Sequence, residues 1–280
     1  MLKIRDPLVE MKIGKRNLIM NLSHELPLNM TSHRYYNTAL GRIAAFLSAR
    51  DGYLSMIDVG ANIGDTVSLI SDTVSGRFLC IDADDKFYEP LLVNTKGIDN
   101  VYCVKALCDE SEGESTISLD SARGSSQISG YGLDGTDVIS RVTLDGLVKK
   151  LPVFRDVNFI KIDTDGYDYK IIRGCNQLIA DNKPIFFFEL APMFLRNAEE
   201  DPLSIFEYFS NKGYRKALFY DHAGYPIITI DVNDEKIHHL VQYADIRGTY
   251  FDVLVFHNSR DDDFGLFLRT EEDFFENSRQ

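Results

Sequence analysis

Residues 57–66 read Ile57-Asp58-Val59-Gly60-Ala61-Asn62-Ile63-Gly64-Asp65-Thr66, and this stretch decides the fold. The apolar run Leu54–Val59 predicts a buried strand, a G-x-x-x-G turn follows, and residues 65–75 have the pattern of a helix. Gly60 permits a tight turn and close approach of a ligand, and Gly64 lets the helix begin close to the strand. The helix N-terminus offers free N–H groups and the positive end of its dipole. The stretch therefore predicts a ligand-binding βα unit.

The turn favours a ligand with an ammonium and a carboxylate over a dinucleotide. A dinucleotide fingerprint needs G-x-G-x-x-G, and Asn62 replaces its middle glycine, which admits a pyrophosphate. Asp58 places a carboxylate beside the turn, which repels a pyrophosphate and suits an amino group. Asp82 closes the next apolar run, about 20 residues after the turn, where a carboxylate accepts hydrogen bonds from ribose hydroxyls. The alternative for Asp82 is a cap on the following helix.

Beyond the turn, short apolar runs alternate with helical patterns. This order predicts right-handed βαβ units and a mainly parallel sheet. The chain then changes character, because Asp221–Tyr225 is typical of a hairpin turn and predicts antiparallel strands on either side. The predicted strands of the parallel part are 77–81, 100–106, 158–162 and 184–190, the predicted helices are 84–96, 144–150, 167–180 and 202–212, and the predicted C-terminal strands are 214–220, 226–231 and 251–256.

Two segments lie outside this alternation. Residues 120–136 are rich in Gly and Ser, so we expect a mobile loop near the ligand, in which Arg123 and Gly124–Ser126 are candidates for acceptor recognition. Residues 1–50 contain a helical pattern at 35–49 and form a predicted N-terminal extension that can act as a lid. The predicted division of the chain is that extension, a domain over residues 51–260 and an acidic C-terminal tail over residues 261–280.

Two motifs make the chain similar to a known family. Residues 57–64 resemble the first cofactor motif of class I S-adenosylmethionine-dependent methyltransferases. The run Phe159-Ile160-Lys161-Ile162-Asp163-Thr164-Asp165-Gly166-Tyr167, continued by Ile172-Arg173-Gly174, resembles the later signature of the FkbM-type methyltransferases. The resemblance implies a Rossmann-like α/β fold, with a mostly parallel sheet of seven strands, an antiparallel C-terminal strand and helices on both faces. It also implies S-adenosylmethionine as methyl donor and a hydroxyl acceptor, often on a sugar.

The resemblance further implies roles for single residues. Asp82 would hold the ribose, with Ala83 beside it. Ala106 and Leu107 would lie by the adenine, with Asp109 nearby. The methionine end would be held by the first motif, namely by Asp58, Gly60, Ala61, Asn62, Gly64 and Thr66. The sequence departs from the family where Asp165 replaces a more frequent Glu and where Asp82-Ala83 replaces a frequent Glu-Pro pair.

The predicted catalytic residues are Lys161 and Asp163. Methyl transfer from a sulfonium needs an aligned acceptor and, for an alcohol, a base. Alternate side chains of a strand share a face, so Lys161 and Asp163 point the same way. Asp163 also falls at the carboxyl end of its strand, where open α/β sheets bind ligands. We predict that Asp163 is the general base or orients the acceptor and that Lys161 is its partner, although a neighbouring cation weakens a carboxylate as a base.

Other interpretations of these residues stay open. Asp163 and Asp165 can cap the helix that follows, with Lys161 as their structural partner. A metal-assisted version would hold magnesium through Asp163, Asp165 and Glu189, which are oxygen donors at neighbouring strand ends; our main prediction contains no metal. Other candidate bases are the lone histidines His24, His33 and His222, of which His33 is the most interesting because two tyrosines follow it closely.

Composition sets the remaining limits. The 280 residues carry a formal net charge of −13, which disfavours general nucleic-acid binding. No apolar stretch approaches the roughly 20 residues needed to span a membrane. The four cysteines lack zinc spacing and are typical of reduced core thiols, so we expect a cytoplasmic protein. The expected partner is a small-molecule or saccharide acceptor.

Two other functional classes compete with a methyltransferase. A nicotinamide-dependent oxidoreductase shares the βαβ start, but the missing middle glycine counts against it. A non-catalytic methyltransferase-like module would keep the glycine turn and Asp82 without turnover. Binding of S-adenosylmethionine distinguishes a methyltransferase from the oxidoreductase, and methyl transfer distinguishes it from the non-catalytic module.

Overall fold

The computed structural model describes residues 6–122, 124–131 and 137–278. None of the described helices has the length and apolarity that crossing a membrane requires. The strands are β1 (Leu8–Ile13), β2 (Arg16–Asn21), β3 (Ser55–Val59), β4 (Arg77–Asp82), β5 (Val101–Lys105), β6 (Leu107–Cys108), β7 (Gly113–Ala122), β8 (Ser125–Tyr131), β9 (Asp137–Val142), β10 (Phe159–Ile162), β11 (Ile185–Leu190), β12 (Tyr214–Asp221), β13 (Pro226–Asp231) and β14 (Phe251–His257). The helices are α1 (Leu26–Ser32), α2 (Thr38–Asp51), α3 (Asp65–Ser71), α4 (Asp85–Asn94), α5 (Leu144–Lys150), α6 (Asp168–Arg173), α7 (Asn176–Asn182), α8 (Pro192–Asn197), α9 (Ser204–Asn211), α10 (Lys236–Arg247) and α11 (Asp261–Asn277).

A central sheet of eight described strands carries the fold. Its order is β13-β12-β14-β11-β10-β3-β4-β5. The neighbours from β11 to β5 are parallel, whereas β14 runs antiparallel to β11 and β12. The predicted mainly parallel sheet with an antiparallel C-terminal strand is confirmed. The resemblance implied seven strands, and the described sheet has one more because β13 pairs with β12 at the edge.

Apolar residues cover both faces of this sheet, because successive side chains of a strand point to opposite faces. On β3, Ile57 and Val59 belong to the core packed by α5, α6, α7, α9 and α10. Met56 lies in the core on the other face, which α2, α3 and α11 cover. The predicted helices on both faces are therefore confirmed.

A second sheet replaces the predicted loop over residues 120–136. β7 and β8 pair antiparallel up to Ala122 and Ser125, and with β6 and β9 they form a four-stranded sheet. The loop prediction is wrong for the described part, because backbone pairing in a hairpin does not need the apolar pattern on which a strand prediction depends. Arg123 and residues 132–136 lie outside the described residues.

Three helices differ from their predictions. A proline inside a helical pattern predicts a kink or a split, but α4 runs through Pro90 without a break. The predicted helix 167–180 is two helices, α6 and α7, which separate at Gly174; an ideal Cβ there would lie 2.4 Å from the carbonyl oxygen of Asp109. Helix α10 was not predicted because only Ile237 and Ala244 on it are buried, which leaves a weak apolar stripe.

The N-terminal residues form the β1–β2 hairpin, α1 and α2. Leu18 and Met20 of β2 pack in an apolar cluster with Phe87 of α4. Asn94 of α4 fixes the hairpin, since its Nδ2 donates to the carbonyl oxygen of Ile19 (2.9 Å) and its Oδ1 accepts from the N–H of Ile19 (2.7 Å). The extension is thereby attached beside the end of β3.

The acidic segment at the C-terminus forms α11. Arg42 of α2 donates to both carboxylate oxygens of Glu271 (2.5 and 2.8 Å), and the Tyr220 hydroxyl donates to the same carboxylate (3.1 Å). Glu271 is buried. This network joins α11 to α2 and to β12.

Candidate active site

A cavity of about 430 Å³ opens above the carboxyl ends of β3, β4, β10 and β11. The register places Val59 of β3 beside Ile81 of β4 and Ile162 of β10, so the residues that follow these strands meet at one edge. The N-terminal extension and the start of β8 form the facing wall. The predicted residues that line the cavity are Gly60, Asn62, Thr66, Asp82, Ala83, Ala106, Leu107, Lys161 and Asp163; those that do not are Asp58, Ala61, Gly64 and Asp109.

The N–H groups of the glycine turn have partners inside the protein. Those of Gly60 and Ala61 both donate to the carbonyl oxygen of Ile81 (3.0 Å each). That of Asn62 donates to Asp82 Oδ2 (2.8 Å). The N–H groups of the turn are therefore already paired, whereas the free N–H groups predicted for the start of α3 stay a prediction. The turn lies directly against the end of β4, and buried N–H groups need a partner whether or not a ligand is bound.

The two glycines make room for the protein itself. Gly60 has φ +73°, and an ideal Cβ on it would lie 1.9 Å from the carbonyl oxygen of Asp163. Gly64 has φ +81°, and its Cβ would lie 2.8 Å from Leu91 Cδ1. The expected tight turn is present. The space that Gly60 leaves is filled by the backbone after β10, and Gly64 is needed for packing against α4.

Asn62 joins three segments of the chain. Its Oδ1 accepts from the Ile63 N–H (2.8 Å) and lies 3.0 Å from His24 Nε2, while its Nδ2 donates to the carbonyl oxygen of Gly124 (2.7 Å). His24 Nδ1 accepts from the Leu26 N–H, which leaves Nε2 as the donor to Asn62. Sequence patterns did not connect His24 with Asn62, because residues 38 positions apart meet only in the folded chain.

Asp82 is a buried carboxylate in the cavity wall. Its Oδ2 accepts from Asn62 and its Oδ1 accepts from the Asp84 N–H (2.9 Å). Burial raises the pKa of Asp82 to about 7, although these two N–H groups act to lower it. The capping alternative is wrong, because Asp84 is the N-cap of α4 and accepts from the Lys86 N–H (2.9 Å). Each Asp82 oxygen keeps a lone pair for a ligand hydroxyl.

The wall beyond Asp82 is apolar. Ala83, Ala106 and Leu107 line it, and Phe87 of α4 adds an aromatic ring. Asp109 was expected near the adenine, but it is buried outside the lining and faces Arg141, whose Nη1 lies 3.6 Å from Asp109 Oδ2. We call the part of the cavity formed by Asp82, Ala83, Ala106 and Leu107 the cofactor half.

Lys161 is buried between carboxylates at the floor of the cavity. Its Nζ lies 3.1 Å from Asp58 Oδ1 and 3.4 Å from Asp163 Oδ2. Burial lowers the pKa of Lys161, but the charges of Asp58, Asp163 and Asp65 outweigh burial and raise it above its ordinary value. For the carboxylate of Asp58, burial acts in the opposite direction and raises its pKa to about 6. Asp58 lies outside the cavity lining and pairs with Lys161, and the ligand contact that the resemblance implies for it stays a prediction.

Asp163 reaches into the cavity, with 54% of its side chain exposed. It does not cap α6, and neither does Asp165, since Asp168 accepts hydrogen bonds from the N–H (3.2 Å) and hydroxyl (2.7 Å) of Thr164 at that helix start. Asp165 instead accepts from the Ser125 hydroxyl of β8 (2.6 Å). The capping interpretation of Asp163 and Asp165 is therefore wrong, while the pairing of Lys161 with Asp163 is present.

More acidic and aromatic side chains line the cavity beyond β10. Glu189 ends β11, Asp252 lies beside it on β14, and Tyr36 and Tyr250 face the same space. We call the part formed by Asp163, Glu189, Asp252, Tyr36 and Tyr250 the acceptor half. Among the described residues no group of three or more His, Cys, Asp or Glu side chains is arranged to hold a metal ion, so the metal-assisted version gains no support.

Of the three histidines proposed as bases, His24 lines the cavity and the other two lie outside its lining. His33 and His222 contact each other, with ring centroids 5.3 Å apart, and neither lines the cavity. Tyr36 lines the cavity instead. Sequence patterns missed Asp252 and Tyr250, because they follow a helix that was not predicted and join the site only through the pairing of β14 with β11.

The sheet order and the ligand cavity at its carboxyl edge define a Rossmann-like α/β protein of the class I methyltransferase type. The family described as "Methyltransferase FkbM domain" matches residues 58–216, which is more than half of the chain. The chain therefore belongs to the FkbM methyltransferase family, whose fold implies S-adenosylmethionine as methyl donor.

Solved methyltransferases are similar to the chain at low identity. Methyltransferase FkbM from Methylobacillus flagellatus KT is 17% identical, with a TM-score of 0.42, and the match covers 59% of this chain and 40% of that chain. A putative O-methyltransferase from Klebsiella pneumoniae is 12% identical, with a TM-score of 0.44 and coverage of 79% and 80%. The chain thus spans less than half the length of the first of these. A comparison with curated proteins gives no match.

Proposed function

We propose that the protein is an S-adenosylmethionine-dependent O-methyltransferase that methylates a hydroxyl of a small-molecule or glycan acceptor. The observation that carries the proposal is the continuity of one cavity from Asp82 and Leu107 to Asp163. A cofactor bound at one side and an acceptor bound at the other would meet above β3 and β10. In-line transfer needs that arrangement.

The residues of the cofactor half fit the adenosine part of the methyl donor. Asp82 offers acceptor lone pairs for ribose hydroxyls, and Ala83, Ala106 and Leu107 form an apolar wall suited to adenine. Beside the turn, Asn62, Asp65 and Thr66 present polar side chains to the cavity and would hold the methionine end. The cavity volume lies in the usual range for small-molecule sites, about 300–1,000 Å³.

When bound, the donor supplies a methyl group on a sulfonium, which is already activated. The protein aligns the acceptor and removes its proton. Asp163 is the side chain we assign to this step, because it is exposed in the cavity and held by Lys161 Nζ at 3.4 Å. Lys161 also pairs with Asp58, so its single positive charge is divided between two carboxylates and does not fully neutralise Asp163. The carboxylate is thereby oriented and remains available to accept the hydroxyl proton.

We further propose that residues 1–50 act as a lid, residues 51–260 form the methyltransferase domain and residues 261–280 form the acidic C-terminal element. His24 and Tyr36 support the lid, since both line the cavity. The four cysteines are free, three of them buried, which supports a reducing compartment and our proposal of a cytoplasmic protein.

Calorimetric titration with S-adenosylhomocysteine, with NAD as a parallel control, tests the cofactor. We expect micromolar affinity for the first and no binding of the second. Absence of S-adenosylhomocysteine binding to a folded sample would overturn the proposal in favour of a non-catalytic module. A screen of hydroxyl acceptors, read as release of S-adenosylhomocysteine from the donor, then tests transfer to oxygen.

A further inference from the structure

Glu189 is a buried carboxylate of which one oxygen lacks a hydrogen-bond partner among the described residues. Only 8% of the residue is exposed, it faces the cavity, and its Oε1 has no hydrogen-bond partner among the described residues. An unpaired buried carboxylate is costly to the folded state. Burial, together with Asp163, Asp165 and Asp168, raises the pKa of Glu189 well above its ordinary value. Such a group is better explained by a ligand than by the stability of the fold.

Asp252, on the neighbouring strand β14, is a second carboxylate that faces the cavity. β11 and β14 pair with Glu189 opposite Asp252, so the two side chains project from the same face of the sheet. Among the described residues Asp252 makes no ion pair within 4.0 Å and no hydrogen bond through its side chain. Burial, with the charge of Asp163, raises its pKa well above the ordinary value. Two neighbouring carboxylates without a cation therefore face one cavity.

The positive charge of Lys161 lowers the pKa of Asp252 but does not offset its burial, so the surroundings still favour a cation. Lys161 is the one lysine or arginine in the described lining, and Asp58 and Asp163 already share it. The aromatic rings of Tyr36 and Tyr250 line the same side. A cation placed over an aromatic face is stabilised by the ring quadrupole. Carboxylates and aromatic rings together are the surroundings that suit an alkylammonium group.

We propose that the acceptor carries a protonated amine, which Glu189 and Asp252 bind while a neighbouring hydroxyl lies against Asp163. This proposal rests on the methyltransferase function proposed above. Adjacent strands lie about 4.8 Å apart, so β11 and β14 place the amine about 5–10 Å from Asp163. That separation matches an amino sugar or an amino alcohol. A protonated amine has no lone pair, so it anchors the acceptor and the hydroxyl receives the methyl group.

The test compares methyl glucosaminide with methyl glucoside, which differ by one ammonium in place of a hydroxyl. Each is titrated calorimetrically into the full chain, both with saturating S-adenosylhomocysteine and without it. We expect the amino sugar to bind at least tenfold more tightly. Glu189→Gln and Asp252→Asn should each reduce this preference at least fivefold while leaving the affinity for S-adenosylhomocysteine unchanged. Glu207→Gln, at an exposed position of α9, is the matched control and should keep the preference.

Equal affinity for the two glycosides, or no binding of either up to millimolar concentration, would overturn the ammonium site. A preference that survives both cavity substitutions would overturn the assignment to Glu189 and Asp252. The two proposals fail separately, because the titration without S-adenosylhomocysteine judges the ammonium site even if the cofactor does not bind. Asp252→Asn is the second variant because Asp252 is only partly buried, so the test does not depend on Glu189→Gln folding.

Discussion

The two halves of the cavity differ in where their polar groups find partners. In the cofactor half, Asp82 accepts hydrogen bonds from two backbone N–H groups, and the glycine turn donates to β4. In the acceptor half, Glu189 Oε1 has no partner among the described residues, and Lys161 is shared by two carboxylates. The cofactor half is therefore complete without a ligand, whereas the acceptor half leaves charge for its ligand to neutralise.

The two halves also differ in how the chain builds them. The cofactor half comes mainly from residues 60–107, through consecutive βα units. The acceptor half combines Tyr36, Asp163, Glu189 and Asp252, which are brought together by the segment before α2, the end of β10, β11 and the antiparallel β14. A local motif can therefore specify the first half, while the second depends on the whole sheet order.

The largest expected effect comes from the point where the halves touch. Gly60→Ala would put a Cβ 1.9 Å from the carbonyl oxygen of Asp163, which forces β3 and β10 apart at their ends. We expect the free energy of unfolding in urea to fall by more than about 3 kcal/mol. Gly97→Ala is the matched control, because Gly97 also has positive φ but no atom within 4 Å of its Cβ, and should cost only about 1–2 kcal/mol. Equal losses would refute the steric role of Gly60.

The second-largest effect is expected from a substitution that should affect turnover in the acceptor half but not ligand affinity in the cofactor half. Asp163→Asn removes the proposed base but keeps the shape of the side chain. With an acceptor found by the screen, we expect turnover to fall about 100-fold or more, and the affinity for S-adenosylhomocysteine to stay within twofold. Asp181→Asn, at an exposed position of α7, should leave both unchanged. Normal turnover by Asp163→Asn would remove Asp163 from the mechanism.

The change that Asp82→Asn makes in the pH dependence of stability probes the cofactor half. Asp82 has a pKa of about 7 in the folded protein, raised from 3.8 by burial. The folded state then holds a proton that the unfolded state has lost, so the free energy of unfolding falls as pH rises from about 4 to 7. Asp82→Asn should lessen this decline by about 3 kcal/mol in urea titrations at several pH values. If the free energy of unfolding of Asp82→Asn changes with pH as steeply as that of the exposed-site variant Asp85→Asn, the raised pKa of Asp82 is contradicted.

Removal of the Asp82 carboxylate should also weaken cofactor binding. We expect Asp82→Ala to reduce the affinity for S-adenosylhomocysteine at least about tenfold, the loss of roughly one charge-assisted hydrogen bond. The affinity of the acceptor half for methyl glucosaminide should change little. Asp85→Ala, whose side chain is exposed and paired with Lys105, is the calorimetric control. Unchanged binding by Asp82→Ala would remove the carboxylate from the cofactor half.

The smallest expected effect lies in the lid. His24→Ala removes the donor to Asn62 Oδ1 and loosens the contact of the extension with the glycine turn. We expect about a threefold loss of affinity for S-adenosylhomocysteine, measured by calorimetry. His238→Ala, on the exposed side of α10, serves for comparison. If the two variants bind equally well, the extension does not help to close the cofactor half.

Sequence reasoning succeeded where a pattern and its partner are close in the chain. The G-x-x-x-G turn, Asp82 at the end of β4 and the parallel alternation were predicted, because strand, turn and helix signals are local. It failed at β8 and at the end of β7, for which it predicts a mobile loop, because their pairing depends on backbone hydrogen bonds.

The sequence by itself determined the fold class, the family and most residues of the cofactor half. Hydrophobic periodicity and glycine positions act over a few residues, and they are legible in the linear chain. Only the tertiary structure decided that Asp58 pairs with Lys161, that His24 and Tyr36 line the cavity, and that Glu189 and Asp252 face it, with no hydrogen-bond partner for Glu189 Oε1 among the described residues. Those features depend on burial and on pairing between distant strands, which fix where a charge lies and whether it has a partner.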